Sequence, residues 1–400
     1  MRLAAAALIV SLTGLAHATD WELSLDTRLV DSTADRSFIE GGLGNVRFDR
    51  DDAPVQLGRA RLALTQRFGE LWSAHLDVSM WDDKEAHLLG VTEAYLQFRP
   101  YPFKGYRVRV KAGAFYPPVS LENRASGWES PYTISFSAID SWLATEIRTL
   151  GVEGQLEWLG TRTGHAFDLA ATGGVYGWNE GAGTVLAGTG FLLHDRQTPL
   201  FGEVGQPGVP PLYAAMPFHE IDGRAGLYAG LEGRYLDRVV VRVLRYDNRA
   251  DPSALDVVSG AIAWETRFTS AGVRAESARG LTFIAQYLDG ETTIAPGGTT
   301  LSWPFRSAYA LIAQRFGRSS LSARYDTFRV SPVGFQSGRQ DGHAFTAAYA
   351  YEAGTHWRFA LEWLRVVASS YNRQELYGLD PLVHDTQVQL AVRYALGSAR

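Results

Sequence analysis

The chain has 400 residues and no cysteine, and its 38 Lys and Arg against 43 Asp and Glu leave a formal net charge of −5. Disulfides, thiolate metal sites and a cysteine nucleophile are thereby excluded, as is the concentrated basic footprint of a nucleic-acid binder. The mixture of 46% hydrophobic residues, 12% aromatics and 41 glycines suits long β-ribbons with aromatic ends better than it suits a helical enzyme.

The first residues read as a targeting segment. Arg2 supplies a positive start, Leu3 to Leu15 is apolar, and Ala16-His17-Ala18 fits a small-x-small cleavage site, so residues 1–18 are expected to be a signal peptide. Beyond it no apolar run reaches the ~18 residues of a membrane helix. An exported chain without such a helix can still cross a bilayer as a closed barrel, in which every backbone N–H and C=O is paired.

From Thr19 onward the dominant signal is period-two alternation. In Trp21-Glu22-Leu23-Ser24-Leu25-Asp26-Thr27-Arg28-Leu29 the odd positions are mostly apolar and the even ones polar, giving a strand one greasy face and one wet face. The pattern returns at Trp72–Met80, Tyr106–Ala112, Trp357–Trp363 and Val388–Tyr394. Segments of this kind are expected at 21–31, 55–68, 71–81, 91–99, 106–115, 147–158, 165–178 and 223–235. They continue at 238–247, 262–275, 281–289, 306–316, 320–329, 343–352, 356–367 and 384–396. That makes about sixteen strands, and most match the ~9–11 residues that a tilted strand needs to span a bilayer.

The connections alternate between short (Gly69-Glu70, Pro100 to Gly105, Gly160 to Gly164, Gly317-Arg318, Ala353 to Thr355) and long (among them 32–54, 116–146, 179–222). Short periplasmic turns facing long outer loops mark a transmembrane antiparallel β-barrel, all-β in class, with residues 19–400 as one unit. A water-soluble β-sandwich alternates too, but does not sort its loops in this way. Residues 116–146 become the third outer loop, expected to fold into the lumen as a constriction whose Glu122, Arg124, Glu129 and Asp140 face water.

Alternation assigns Arg59, Arg61, Arg107, Arg109 and Lys111 to the lumen, with Asp77 and Glu93 as acidic counterparts. Arg67, Arg234, Arg274 and Arg324, and Asp26, Glu153, Glu157, Glu232 and Glu362, are further candidates for the same face. Rings of such charge set ion preference in wide pores. Since both signs are plentiful, a mixed lining with opposite charges paired across strands is expected. No nucleophile elbow or two-His metal motif occurs, so catalysis, a cofactor and a metal are not expected. His194-Asp195 and His219-Glu220, both in the long loop 179–222, offer ligands for a surface metal site, but read first as solvated loop residues.

Around residues 111–154 the chain resembles the phosphate- and polyphosphate-selective porin family. The matching elements are Lys111-Ala112-Gly113-Ala114-Phe115-Tyr116-Pro117-Pro118, then Leu121-Glu122-Asn123, and Arg148-Thr149-Leu150-Gly151-Val152-Glu153-Gly154. The resemblance implies a sixteen-stranded outer-membrane barrel, a homotrimer, with the third loop turned inward. Phosphate-selective members use an arginine ladder and lysines near the loops, whereas Lys84, Lys104 and Lys111 are the only lysines here. The expected function is passive diffusion of small hydrophilic solutes or ions, anions such as phosphate among them, through a water-filled channel, with outer-membrane lipid and lipopolysaccharide as surroundings. The alternative is a plugged, non-conducting barrel that binds a ligand or serves structurally through loops 32–54 and 179–222.

Overall fold

The computed structural model describes residues 19–82, 89–208 and 215–398. The expected signal peptide and Lys84 lie outside the described residues. The strands are β1 (Thr19–Ser32), β2 (Val55–Phe68), β3 (Trp72–Met80), β4 (Leu89–Phe98), β5 (Tyr106–Phe115), β6 (Thr149–Trp158), β7 (Phe167–Gly177) and β8 (Gly226–Tyr235). They continue as β9 (Val239–Asp247), β10 (Glu265–Glu276), β11 (Leu281–Ile294), β12 (Leu301–Phe316), β13 (Ser319–Val330), β14 (Gln340–Ala353), β15 (Trp357–Ser370) and β16 (Leu382–Gly397). Each pairs antiparallel with its sequence neighbours. The barrel closes where Glu22–Ser32 of β1 lies against Gln387–Gly397 of β16. All sixteen expected strands are present. Several on the β11–β15 side run three to five residues further toward the outer loops than expected, because the backbone ladder continues beyond the alternating segment.

Period-two side-chain direction sorts the residues. Leu23, Leu25, Val108, Leu156, Leu169, Leu231, Val241, Ile312 and Leu361 are exposed on the outer face. At the short-turn end this apolar band meets exposed Trp21, Phe68, Trp72, Tyr106, Phe167, Tyr235, Phe316 and Trp357. An apolar wall without a free strand edge, finished by an aromatic girdle, is the outside of an outer-membrane barrel. Tight turns close the same end, and Gly69 (φ 63°) and Gly317 (φ 61°) take the left-handed conformation that those turns require.

The interior is not an empty tube. Helix α1 (Ala138–Glu146) in the third outer loop, and helix α2 (Thr184–Thr189) in the loop after β7, lie inside the barrel. Ser137 caps α1, its hydroxyl accepting from the Asp140 N–H, and every residue of the helix is buried. Trp142 packs its ring against Phe191, Phe268 and Phe305, with centroids 6.3, 5.3 and 5.0 Å away. Val119, Leu121, Ile139, Leu143, Leu186 and Leu193 of the loops join lumen-facing Leu244, Ile284, Leu288, Leu311, Phe328, Leu364 and Val366 in one core. Where these loops dock, the lumen wall from β9 to β15 is therefore dry; nearer the short turns it carries partly exposed Arg242, Arg274, Glu276 and Arg358.

Candidate functional site: the lumen and its inserted loops

The other half of the wall, β1 to β8 with β16, carries most of the lumen charge. On β1, β2, β3 and β16 it forms a continuous ladder with the loops. Arg47 of the first outer loop pairs with Asp195 at 3.2 Å, and Asp195 with Arg28 at 2.5 Å. Arg28 pairs with Asp26 at 3.1 Å and Asp26 with Arg393 at 2.9 Å. Arg393 pairs with Glu129 of the third loop, which also takes Arg59 at 3.2 Å. Arg59 reaches Asp77 at 3.5 Å, and Arg61 joins Asp77 at 2.6 Å and Glu22 at 3.0 Å. Gly127 sits where the third loop crosses this ladder. Its φ is 72°, and a Cβ there would stand 2.5 Å from Arg61 Nε.

Buried charges persist only when paired and hydrogen-bonded, so this ladder ties three outer loops to the wall. Burial pushes the Asp195 carboxyl up, but Arg28 and Arg47 outweigh it and hold it below the ordinary carboxylate range. His194 beside it stacks on Phe38 at 4.6 Å, and burial lowers its pKa to about 3, so the ring is neutral. The expectation that His194 and Asp195 are solvated is thus corrected: both are buried, because the loop turns inward. His219 is half-buried and meets Asp256 at 3.1 Å.

The constriction residues divide. Glu129 is in the ladder, and Arg124 pairs with Glu276 at 2.8 Å on the half-exposed side of the loop. Glu122 and Asp140 do not face water: both are fully buried where the loop docks on β13. There Arg324, itself fully buried, pairs with Glu122 and with Asp326, each at 2.8 Å. It also donates to the Ser135 and Phe136 carbonyls at 2.8 Å. Asp326 accepts the Ala138 N–H of α1 at 3.0 Å, and Glu362 accepts the N–H groups of Ile134 and Ser135. Burial, then the Glu122 charge, pushes the Asp140 carboxyl well above its ordinary range. Glu146 closes α1, accepting from the N–H groups of Gly183, Val185 and Leu186 and from the Trp142 indole. Burial lifts its carboxyl to about 7.

Arg107, Arg109 and Lys111 lie on β5 facing Glu157, Gln155 and Glu153 of β6. Arg107 pairs with Glu157, and Lys111 stands 3.9 Å from Glu153. Arg109 meets only the Gln155 amide, at 2.6 Å, and has no carboxylate partner among the described residues. These side chains stay in contact with water. Arg107 and Lys111 are each 18% exposed and Arg234 of β8 is 30% exposed, against 1% for Arg28. Glu93 accepts the Tyr116 N–H at 3.3 Å. Together with His75, Tyr95, Lys111 and Trp128, Glu93 lines a cavity of about 330 Å³ between the third loop and the β3–β5 wall. Arg148, just before β6, stacks on Tyr116 with 4.2 Å to the ring centroid.

Sequence reasoning missed the loop-docking groups Arg47, Asp195 and Glu146, and Asp385 of β16, which accepts the Asn45 backbone and amide N–H groups at 3.1 Å, as well as the dry wall. For the dry wall a signal was present. Tyr309-Ala310-Leu311-Ile312-Ala313 and Leu364-Arg365-Val366-Val367-Ala368 are nearly continuous apolar runs, the pattern of strands covered on both faces.

No family model matches the chain, and no curated protein does. Solved structures do. The outer membrane channel DcaP of Acinetobacter baumannii superposes with a TM-score of 0.54 at 10% identity, over 94% of this chain and 96% of that one. OmpF of Salmonella typhi in complex with daunomycin gives 0.54 at 10%, over 94% and 97%. The trimer form of the outer membrane protein OmpT of Vibrio cholerae gives 0.52 at 11%, over 94% and 99%. At such identities the likeness establishes the fold: the sixteen-stranded barrel of general Gram-negative outer-membrane porins.

Proposed function

We propose that this chain is an outer-membrane porin with a narrow, off-centre path for small hydrophilic solutes and ions. The observation that carries the reading is the division of the lumen. The inserted loops pack dry against the outer part of the β9–β15 wall and leave water-contacting charge, Arg107, Arg109, Lys111, Arg234 and Glu93, along the β3–β8 side, continued by Arg242 and Glu276 on β9 and β10. Transport needs no covalent step; size exclusion and the field of these side chains do the work. Arg109, without a carboxylate partner among the described residues, and Lys111 favour anions weakly, inorganic phosphate among them. The paired charges elsewhere favour neither sign.

The leader at 1–18 directs export, and the apolar outer face takes both lipid and the neighbouring copies of a homotrimer. Near its outer rim that face carries exposed Arg306 directly opposite Arg329, with His343 close by. With Asp341 paired to Arg329 and Asp289 opposite Arg306 the group is charge-balanced, and its guanidinium donors are what it offers to lipopolysaccharide phosphates.

The test is single-channel conductance and reversal potential in a planar bilayer under a salt gradient. Small stable steps in groups of three with a weakly anion-selective reversal potential are expected. Large steps would overturn the narrow path. A second reading, a plugged non-conducting barrel, is favoured by the apolar core that crosses the lumen, and silence from folded protein would select it. In either case segments 38–48 and 185–198 of these two loops turn into the barrel: Phe38, Val46, Phe48, Leu186 and Leu193 are buried and the Leu193 N–H donates to the Asn45 carbonyl.

A further inference from the structure

We propose that Glu180, Glu220 and Asp222 form a Ca2+ site that fastens the two ends of the long loop between β7 and β8 at the barrel mouth. Glu180 follows β7 by three residues, and Glu220 and Asp222 precede β8. The loop closes on itself to bring them together. One carboxylate oxygen from each lies within 4.8 Å of the others, the spacing of ligands sharing an ion at about 2.3–2.6 Å.

The ligand is called for by Glu180. It is 2% exposed, and its Oε2 accepts the N–H groups of Ile221 at 2.6 Å and Asp222 at 2.8 Å. Its Oε1 is buried with no hydrogen-bond partner. A buried carboxylate oxygen without a donor is costly, and here two further carboxylates stand against it. Burial first, then the close approach of the Asp222 and Glu220 carboxylates, pushes the Glu180 carboxyl up to about 8.

The nearby cation does not settle the charge. Arg224 Nε is 3.9 Å from Asp222, while its Nη2 is engaged by Asp251 at 2.8 Å. Close approach is built into the backbone: a Cβ at Gly177 would stand 2.9 Å from Glu220 Oε2. Three oxygen donors and no imidazole select a hard cation, and uneven loop geometry favours Ca2+ over the strict octahedron of Mg2+. The inference does not depend on whether the lumen conducts. It requires only that this mouth faces a compartment holding Ca2+.

Trp178 supplies the assay, since its backbone N–H donates to Glu220 Oε2 at 2.9 Å and so holds the residue beside the site. Excitation of tryptophan in the purified, folded full chain with Tb3+ added is expected to give sensitised Tb3+ emission. Ca2+ is expected to displace it at about 10⁻⁴–10⁻³ M, the range of extracellular sites, and Mg2+ to do so less well. Glu180→Gln and Asp222→Asn are each expected to weaken binding roughly tenfold or more, because ligand charge sets affinity. Heat-resistant electrophoretic mobility checks that each variant keeps its barrel, and the variant that passes is the one read. Absent emission, or emission equal in wild type and a folded variant, would overturn the proposal and leave shared protons as what holds the three carboxylates together.

Discussion

Replacing Arg324 by Ala isolates what holds the third loop inside the barrel. The guanidinium is fully buried on β13, pairs with Glu122 of the loop and Asp326 of the wall, and donates to the Ser135 and Phe136 carbonyls. Its removal leaves those carboxylates in a dry site with Asp140 and Glu362 nearby and no cation against them. Breaking a buried pair from one side costs about 3–5 kcal/mol. The strands keep their ladders, so the loss falls on loop docking. At ~1.4 kcal/mol per decade the undocked population rises roughly a hundred- to a few-thousand-fold. Thermolysin attacks the apolar stretch from Phe136 to Leu143 only when the loop opens, and where opening is fast relative to cleavage the rate follows the open population. The control is Arg329→Ala, which removes an exposed pair with Asp341 from the outer face, with side chains 48% and 58% exposed. Such a pair is worth about 0–1 kcal/mol. The reasoning fails if the Arg324→Ala loop is cut no faster than in that control. Arg324→Lys, which keeps the charge but loses the planar fork, belongs between the two.

Trp142→Ala vacates the centre of the Phe191, Phe268 and Phe305 cluster and is expected to cost about 3–5 kcal/mol of loop docking. In bilayers it should raise conductance or flicker, and unchanged current traces would count against the plug. Arg109→Glu combined with Lys111→Glu is expected to move the reversal potential toward cations. An unmoved potential would place the ion path elsewhere. Glu146 gives a pH dependence. Its pKa rises from an ordinary 4.5 to about 7 in the folded protein, so between these values the folded state holds a proton that the unfolded chain has lost. Stability is then greatest at or below about pH 4.5 and falls by about 3 kcal/mol as pH climbs through 7. Thermolysin opening rates between pH 5 and 8, corrected for the protease's own pH profile, should rise in wild type and rise less steeply in Glu146→Gln, Asp140 keeping part of the dependence.

The sequence alone determined the strands, their number and the face of each residue. That information is local. A strand side chain's direction repeats every two residues, so Leu23, Leu25 and Leu29 declare one face and Ser24, Asp26 and Arg28 the other without reference to any partner. It also marked 116–146 as a long third loop, but it described Glu122 and Asp140 as facing water. Parity separates wall-out from wall-in and does not say what fills the inside. Only the tertiary structure decided that Arg324, 202 residues from Glu122 in sequence, would hold that loop, and that Asp195 would bridge Arg28 and Arg47. It also brought Glu180 against Asp222. These pairings depend on where long loops go, and a loop's path is set by distant packing: Trp142, Phe191 and Leu186 found an apolar wall on β9–β15 and left water to pull them inward. The charges that came with them had to find counter-ions in the same dry space.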